Sequence, residues 1–280
     1  MITHAKQAVS KADIFFTRCE EKYYSNDFIV QKNTLIRIMS GEMVIIMPDN
    51  TITVGAGDTI FFPRLELAKV KKQPKNEQPY QSLAIYFTPE GVQNYFVKHH
   101  LKPNQPANKI SIKPLNSHPL LNSLFSSLLP YFDMQNDLPE SIAENKINEA
   151  ISILRELDIN LFNTIGNFEE PGKMGLKEFM EKNYMFNMTM DKFGYLTGRS
   201  LTTFKRDFKK VFDTTPQKWL TQKRLQLARY QLTEENRKPS DVYLEVGFEN
   251  LSHFSLAFKK QYGYAPSYYA YNAKRQMVLQ

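Results

Sequence analysis

Cysteine is nearly absent from this chain: Cys19 is the only one, so an internal disulfide is excluded. With 280 residues, the chain is long enough to bury two cores without one. No stretch approaches the ~18 consecutive apolar residues that a membrane-crossing helix requires. The segment Met1 to Ser10 lacks the basic-then-apolar layout of a secretory signal, so a reducing cytoplasm is the expected compartment. Histidine is sparse as well. His99 and His100 are adjacent, about 100° apart on a helix, and cannot share a metal, while His4, His118 and Cys19 have no partners at a ligand spacing. There is no phosphate-cradling glycine loop, no Ser/His/Asp order and no carboxylate pair with a reaction to perform. These absences argue against an enzyme: no catalytic residue, metal or cofactor is expected.

What is present is charge, unevenly placed. From residue 173 onward the chain holds 19 Lys and Arg against 10 Asp and Glu, a net of +9. The first 172 residues hold 17 against 19, a net of −2. A basic module that neutralises phosphates, joined to one that does not meet nucleic acid, has this polarity.

The first part of the chain alternates apolar and polar residues at strand period, in Thr34-Leu35-Ile36-Arg37-Ile38, Met43 to Met47, Thr51 to Val54, Thr59 to Phe62 and Ser82 to Phe87. Turns at Ser40-Gly41-Glu42 and Pro48-Asp49-Asn50 read as hairpins, and Lys69, Lys71, Lys72 and Lys75 as a solvated loop. After Pro89 the pattern becomes helical, over Glu90 to His99, Pro119 to Met134 and Pro139 to Phe162. The apolar stripe of the last helix (Ile147, Ile151, Leu154, Leu161) either covers a sheet face or forms a dimer seam. Asn167 to Gly172, with charge, Pro and Gly, reads as a linker. The fold class is therefore α+β, with a small N-terminal barrel or sandwich at residues 10–88 and helices at 89–165. Together these form a regulatory and dimerisation domain over 1–168, followed by a linker at 169–173 and an all-helical domain at 174–280.

An internal repeat spaced by 50 residues is the strongest local signal. In the first copy Thr189 caps a helix holding Phe193 and Leu196, Gly198 turns, and Ser200 caps Leu201 to Lys210. In the second, Pro239 opens a helix, Gly247 turns, and Asn250 caps Leu251 to Lys260. Phe204 and Phe208 share one helical face, as do Phe254 and Phe258, and are expected in the core. That leaves Thr202, Lys205, Arg206 and Lys209 outward, a face suited to the major groove. Thr215-Pro216 opens a helix through Trp219, Leu220, Leu225, Ala228 and Leu232, a stiff strut about 25 Å long at ~1.5 Å per residue. It would let both units enter successive grooves of one duplex. Tyr268, Tyr269 and Tyr271 are expected to pack the final helix.

At these residues the sequence resembles the AraC/XylS family of bacterial transcription regulators, from Met174 to the C-terminus. The segments that carry the likeness are Gly198 to Lys210, Thr215-Pro216-Gln217-Lys218-Trp219-Leu220 with Arg224-Leu225, and Val246 to Gly263 followed by Ala265-Pro266-Ser267. The resemblance implies a two-unit helix-turn-helix domain that binds promoter double-stranded DNA and contacts RNA polymerase. Carried over by position, base reading falls on Thr202, Lys205, Arg206, Ser252, His253 and Ser255. Phosphate contact falls on Ser200, Thr203, Lys209, Lys210, Asn250, Lys259 and Lys260. Leu256 stands where family members usually carry Arg, so the first unit is expected to dominate specificity. Gly41 to Phe62 is similar to the cupin-type domain that often precedes this DNA-binding domain. It contains no His, so its interior is left to a small ligand or to core. In some relatives this domain binds a sugar or fatty acid, in a subgroup that regulates secretion systems a partner protein. Leu201-Thr202-Thr203-Phe204-Lys205 is similar to that subgroup. The expected function is a sequence-specific regulator, an activator controlled by its N-terminal domain through a small ligand, a protein partner or dimerisation, and present as a homodimer at the nucleoid; the alternatives are a repressor using the same DNA contacts and a cupin-like enzyme or sugar-binding protein with a fused helical domain.

Overall fold

Period-2 alternation of β-branched and aromatic residues gives each central strand two faces to bury, and the first part of the chain folds accordingly. The protein was analysed as a computed structural model that describes residues 6–11, 13–24, 29–102, 104, 110–133 and 138–278. His4 and Met134 lie outside them. Two units divide the chain, Met1–Glu169 and Glu170–Gln280.

The first unit is a pair of antiparallel sheets with helices. Its strands are β1 (Lys6–Lys11), β2 (Ile14–Cys19), β3 (Tyr23–Tyr24), β4 (Asn33–Ser40), β5 (Glu42–Ile46), β6 (Thr51–Gly55), β7 (Thr59–Phe62), β8 (Lys69–Gln73), β9 (Tyr80–Phe87) and β10 (Lys113–Leu115). They form a six-stranded sheet in the order β1-β2-β9-β4-β7-β10 and a four-stranded sheet in the order β3-β8-β5-β6. Its helices are α1 (Pro89–Lys98), α2 (Pro119–Leu128), α3 (Pro130–Asp133), α4 (Glu140–Leu157) and α5 (Ile159–Ile165). Along β7 the alternation sends Ile60 and Phe62 into the core between the sheets, with Met43, Ile45 and Val54. Phe61 turns to the other side, where it joins Leu35, Leu83 and Ile85 under Leu124, Ile151, Leu154 and Leu161 of the helices. The apolar helical stripe thus covers a sheet face within its own unit, with Ile151 and Leu154 at 0% exposure.

Four expectations are corrected. The turn at Gly41 is not a hairpin: β4 pairs with β7 and β9, β5 with β6 and β8, so the chain changes sheets there. Gly41 has φ +72°, and a Cβ on it would lie 2.7 Å from Tyr80 Cα, so a side chain is excluded twice over. The lysine run is not a loop but mostly strand β8: Lys69 is buried, and Lys75 pairs with Glu42 at 2.7 Å. Lysine stems cover apolar surface while their heads find partners, which hides a strand from hydropathy. The helix expected from Pro119 is cut before Pro130, whose ring lacks the amide a continuing helix needs. The helix expected from Pro139 is cut at Asp158, whose carboxylate accepts from Asn160 N at 2.9 Å and pairs with Lys113 at 3.1 Å. Two histidines also have local structural roles. His99 ends α1 with its ring 4.3 Å from that of Tyr95, and His118 Nδ1 accepts from Leu120 N at 3.3 Å.

The second unit is helical: α6 (Leu176–Asn183), α7 (Met190–Leu196), α8 (Leu201–Phe212), α9 (Pro216–Thr233), α10 (Pro239–Glu245), α11 (Leu251–Tyr262) and α12 (Pro266–Val278). Of the three tyrosines expected to pack α12, Tyr269 does so with its hydroxyl donating to Tyr262 O at 3.2 Å, Tyr268 is exposed but stacks on Tyr264 with ring centroids 4.4 Å apart, and Tyr271 is exposed. Among the described residues no helix is long and apolar enough to cross a membrane.

Gly41→Ala is expected to destabilise the first unit by roughly 1–3 kcal/mol, lowering the thermal midpoint seen in far-UV circular dichroism. The fluorescence transition of Trp219, the only tryptophan and a residue of the second unit, should stay in place. An unmoved dichroism midpoint would contradict the corner at Gly41.

Candidate nucleic-acid interface

The first helix-turn-helix is built from caps and phenylalanines. Thr189 and Ser200 accept from the third amides of α7 and α8 (Lys192 N, 3.3 Å; Thr203 N, 3.4 Å). Between the helices, Thr197 is fully buried and its hydroxyl donates to Phe193 O or Gly194 O, both 2.9 Å away, while Gly198 turns at φ +66°. Phe193 and Phe204 stack with ring planes 9° apart, and Phe208 packs edge-on to Trp219. All three phenylalanines are at 0% exposure.

Burying Phe204 and Phe208 fixes which arc of α8 faces solvent, and Thr202, Lys205, Arg206, Lys209 and Lys210 are all exposed on it. Ser200 is exposed and Thr203 half-buried. Arg206 is not a loose charge. Its guanidinium lies 3.3 Å from Asp207 Oδ1, and Arg199, nearly buried, takes Asp207 Oδ2 at 3.2 Å. Desolvation opposes the charge on Asp207, but hydrogen bonds from Arg199 and Arg206 outweigh it and hold the carboxyl below its usual range. Arg199 also donates to Thr197 O at 2.7 Å and Met174 O at 3.0 Å. The end of the segment expected as a linker is therefore pinned to the turn of the first helix-turn-helix, where a Cβ on Gly198 would fall 2.6 Å from Gly172 C. Tyr195 adds a hydroxyl hydrogen bond to Glu170.

The second unit repeats the plan. Asn250 Oδ1 accepts from His253 N at 2.7 Å, and Phe254 and Phe258 are at 0% exposure in a core with Leu225, Leu232 and Val242. Ser252, His253, Lys259, Lys260 and Asn250 are exposed, Ser255 half-buried, and the His253 ring lies 5.7 Å from Phe248. Lys238 precedes α10, and Arg237 grips Glu245 through two hydrogen bonds of 2.6 and 2.7 Å.

The two helix-turn-helix pairs share α9, which gives Trp219 to the first, against Phe208 and Phe212, and Leu225, Ala228 and Leu232 to the second. At its middle, Arg224 fans out. Nε donates to Tyr184 O (2.8 Å), Nη2 to Phe186 O (2.8 Å), and Nη1 to both Gly247 O (3.1 Å) and Asn187 Oδ1 (3.2 Å). Tyr184, Phe186 and Asn187 lie between α6 and α7, Gly247 in the turn of the second unit, so one side chain ties both units to the strut. Burial lowers the guanidinium pKa to about 10, with Glu249 nearby acting to raise it, so the group stays charged at neutral pH. Glu249 is itself held by Asn187 Nδ2 at 2.8 Å. Gly247, at φ +99°, has no room for a Cβ, which would lie 2.7 Å from Met185 O and 2.8 Å from Arg224 Nε. Sequence reasoning noted Arg224 only as part of a likeness. The signal was there: it interrupts the apolar stripe Leu220, Ala228, Leu232 at four-residue spacing.

Two short helix pairs with capped recognition helices and buried phenylalanines, fixed on one strut, define a double helix-turn-helix protein of the nucleic-acid-binding class. Residues 196–271 match the family described as "Helix-turn-helix domain", and residues 33–160 that described as "ExsA N-terminal regulatory domain". The chain is 28% identical over 163 residues to the virulence regulon transcriptional activator VirF of Yersinia enterocolitica, covering 55% of this chain and 59% of that one. It is 32% identical over 92 residues to the HTH-type transcriptional regulator ExsA of Pseudomonas aeruginosa, covering 33% of each. Among solved structures, ToxT from Vibrio cholerae aligns over 94% of this chain and 98% of its own, at 12% identity and a TM-score of 0.42. The chain thus carries a helix-turn-helix domain and a domain of the ExsA N-terminal regulatory type, and it spans less than two thirds of the length of the transcriptional activator it resembles.

Arg224→Lys keeps the charge but replaces a planar fork by a single ammonium that cannot reach Tyr184 O, Phe186 O and Gly247 O with the same directed donors. It is expected to cost about 2 kcal/mol, read as a lower urea midpoint by Trp219 fluorescence. An unchanged midpoint would show that the clamp contributes nothing to the fold.

Proposed function

We propose that the chain is a sequence-specific DNA-binding transcription regulator, an activator, whose second unit lays α8 and α11 into successive major grooves of one promoter duplex. Thr202, Lys205 and Arg206 read bases in the first half-site, and Ser252, His253 and Ser255 in the second. Ser200, Thr203, Lys209, Lys210, Asn250, Lys259 and Lys260 meet phosphates, where the amides opening each helix add to the attraction. The observation that carries this reading is the pair of recognition helices, each with its phenylalanines at 0% exposure and its assigned DNA-contact side chains on the opposite arc, both fastened through Arg224. The net +9 after residue 172 supports it. Asp207 presents Arg206 already oriented, which lowers the entropy lost when the guanidinium meets guanine O6 and N7.

The first unit is read as the control element, and the role as regulator rather than enzyme draws support from the relatives' names. A cavity of about 450 Å³ opens in it, walled by Phe15, Ile36, Met43, Phe62 and Val70 with Lys32 and Lys72 at its lining. That volume suits a small amphipathic effector. Contact with RNA polymerase, pairing into a homodimer and a place at the nucleoid in the cytoplasm complete the proposal.

Arg206→Ala is expected to weaken binding to the selected site by about 1–3 kcal/mol and to relax one base position, while Lys209→Ala weakens specific and random DNA alike. Titration of both variants against a selected and a scrambled duplex checks this. Equal losses on the two duplexes for Arg206→Ala would refute base reading by that residue.

A further inference from the structure

The two recognition helices match residue for residue at an offset of 50, and the match shows where they differ. Caps Ser200 and Asn250 correspond, as do the buried pairs Phe204/Phe208 and Phe254/Phe258, and Lys209 corresponds to Lys259. With the phenylalanines equivalent, each outward arc holds equivalent positions. There Lys205 is replaced by Ser255 and Arg206 by Leu256. Leu256 is 70% exposed, comparable to the 64% of the Arg206 side chain, and Leu251 at the edge of the same arc is 41% exposed. Nothing in the second unit stands where Asp207 holds its arginine, since Ala257 takes that place.

The outward face of the first two turns of α11 therefore carries no cation, its lysines lying in the last turn. A helix presenting Ser252, His253, Ser255 and an exposed leucine has no guanidinium there for the charged, bidentate bond to guanine that α8 can make. The apolar group that base pairs offer in the major groove is the C5-methyl of thymine. Resting on the DNA-binding reading above, we propose that Leu256 is a specificity-determining residue that packs on thymine methyl groups, so that methyl contact adds to the base reading by Ser252, His253 and Ser255 in the second half-site, where the first has a charged arginine. Lys259 and Lys260 at the end of α11 supply the phosphate attraction that seats the helix.

The test uses the full chain and a duplex it selects from a randomised library, with each thymine replaced in turn by deoxyuridine, which removes only the methyl. Arg206→Ala identifies the half-site of α8. In the other half-site, at least one replacement is expected to weaken wild-type binding about fourfold, the value of one buried methyl group, and to leave Leu256→Ala unaffected. Leu256 is exposed, so the variant folds. A selected site whose second half tolerates uracil, or sensitivity equal in wild type and Leu256→Ala, overturns the inference while leaving DNA recognition standing. A selection that returns no preferred sequence overturns both.

Discussion

Arg224 is the side chain on which the arrangement of the second unit depends. Its guanidinium binds three backbone carbonyls and one amide oxygen drawn from both helix-turn-helix units. A buried cation is expensive unless its donors are spent, and here they converge on four oxygens, of which Phe186 O also accepts from Met188 N at 3.0 Å. Apolar residues at that point would pack the units together without defining an angle. A planar fork with fixed donor directions defines one. Gly247 completes the constraint, because a side chain there would occupy the space of the guanidinium.

A second constraint acts within the first unit of the pair. Asp207 lies between Arg199, nearly buried and tied to the turn, and Arg206, which faces solvent. Through that chain of contacts the turn residues Thr197 and Gly198, and the segment Gly172 to Met174 packed on them, set where the outward guanidinium rests. The second helix-turn-helix has no counterpart to this relay. The internal repeat thus conserves the hydrophobic plan, Phe at four-residue spacing behind a capped turn, while the outward chemistry has diverged into a charged face and a nearly neutral one.

Much of this was legible before any coordinates. Caps and turns at Thr189, Gly198, Ser200, Gly247 and Asn250 are local signals, decided by a few hydrogen bonds and a sign of φ, and the structure has them where the sequence places them. The outward arcs followed because two phenylalanines four residues apart orient a helix without help. Less was legible where partners lie far along the chain. Strand β8 was hidden because its lysines look like loop residues until β5 and β3 are laid beside them. The Gly41 corner looked like a hairpin because turn composition does not say which strands pair. Arg224 could be counted as one more surface cation until its acceptors, 23 to 40 residues away, were seen to converge.

The central claim is that both recognition helices are held in one geometry before DNA arrives. Spin labels at Val211→Cys and Gln261→Cys, both exposed and outside the residues assigned to DNA, report the distance between the ends of α8 and α11, with buried Cys19 left in place. The account predicts a single narrow distance distribution in the free chain that stays unchanged on binding DNA. A broad or multiple distribution that narrows only on the duplex would contradict it.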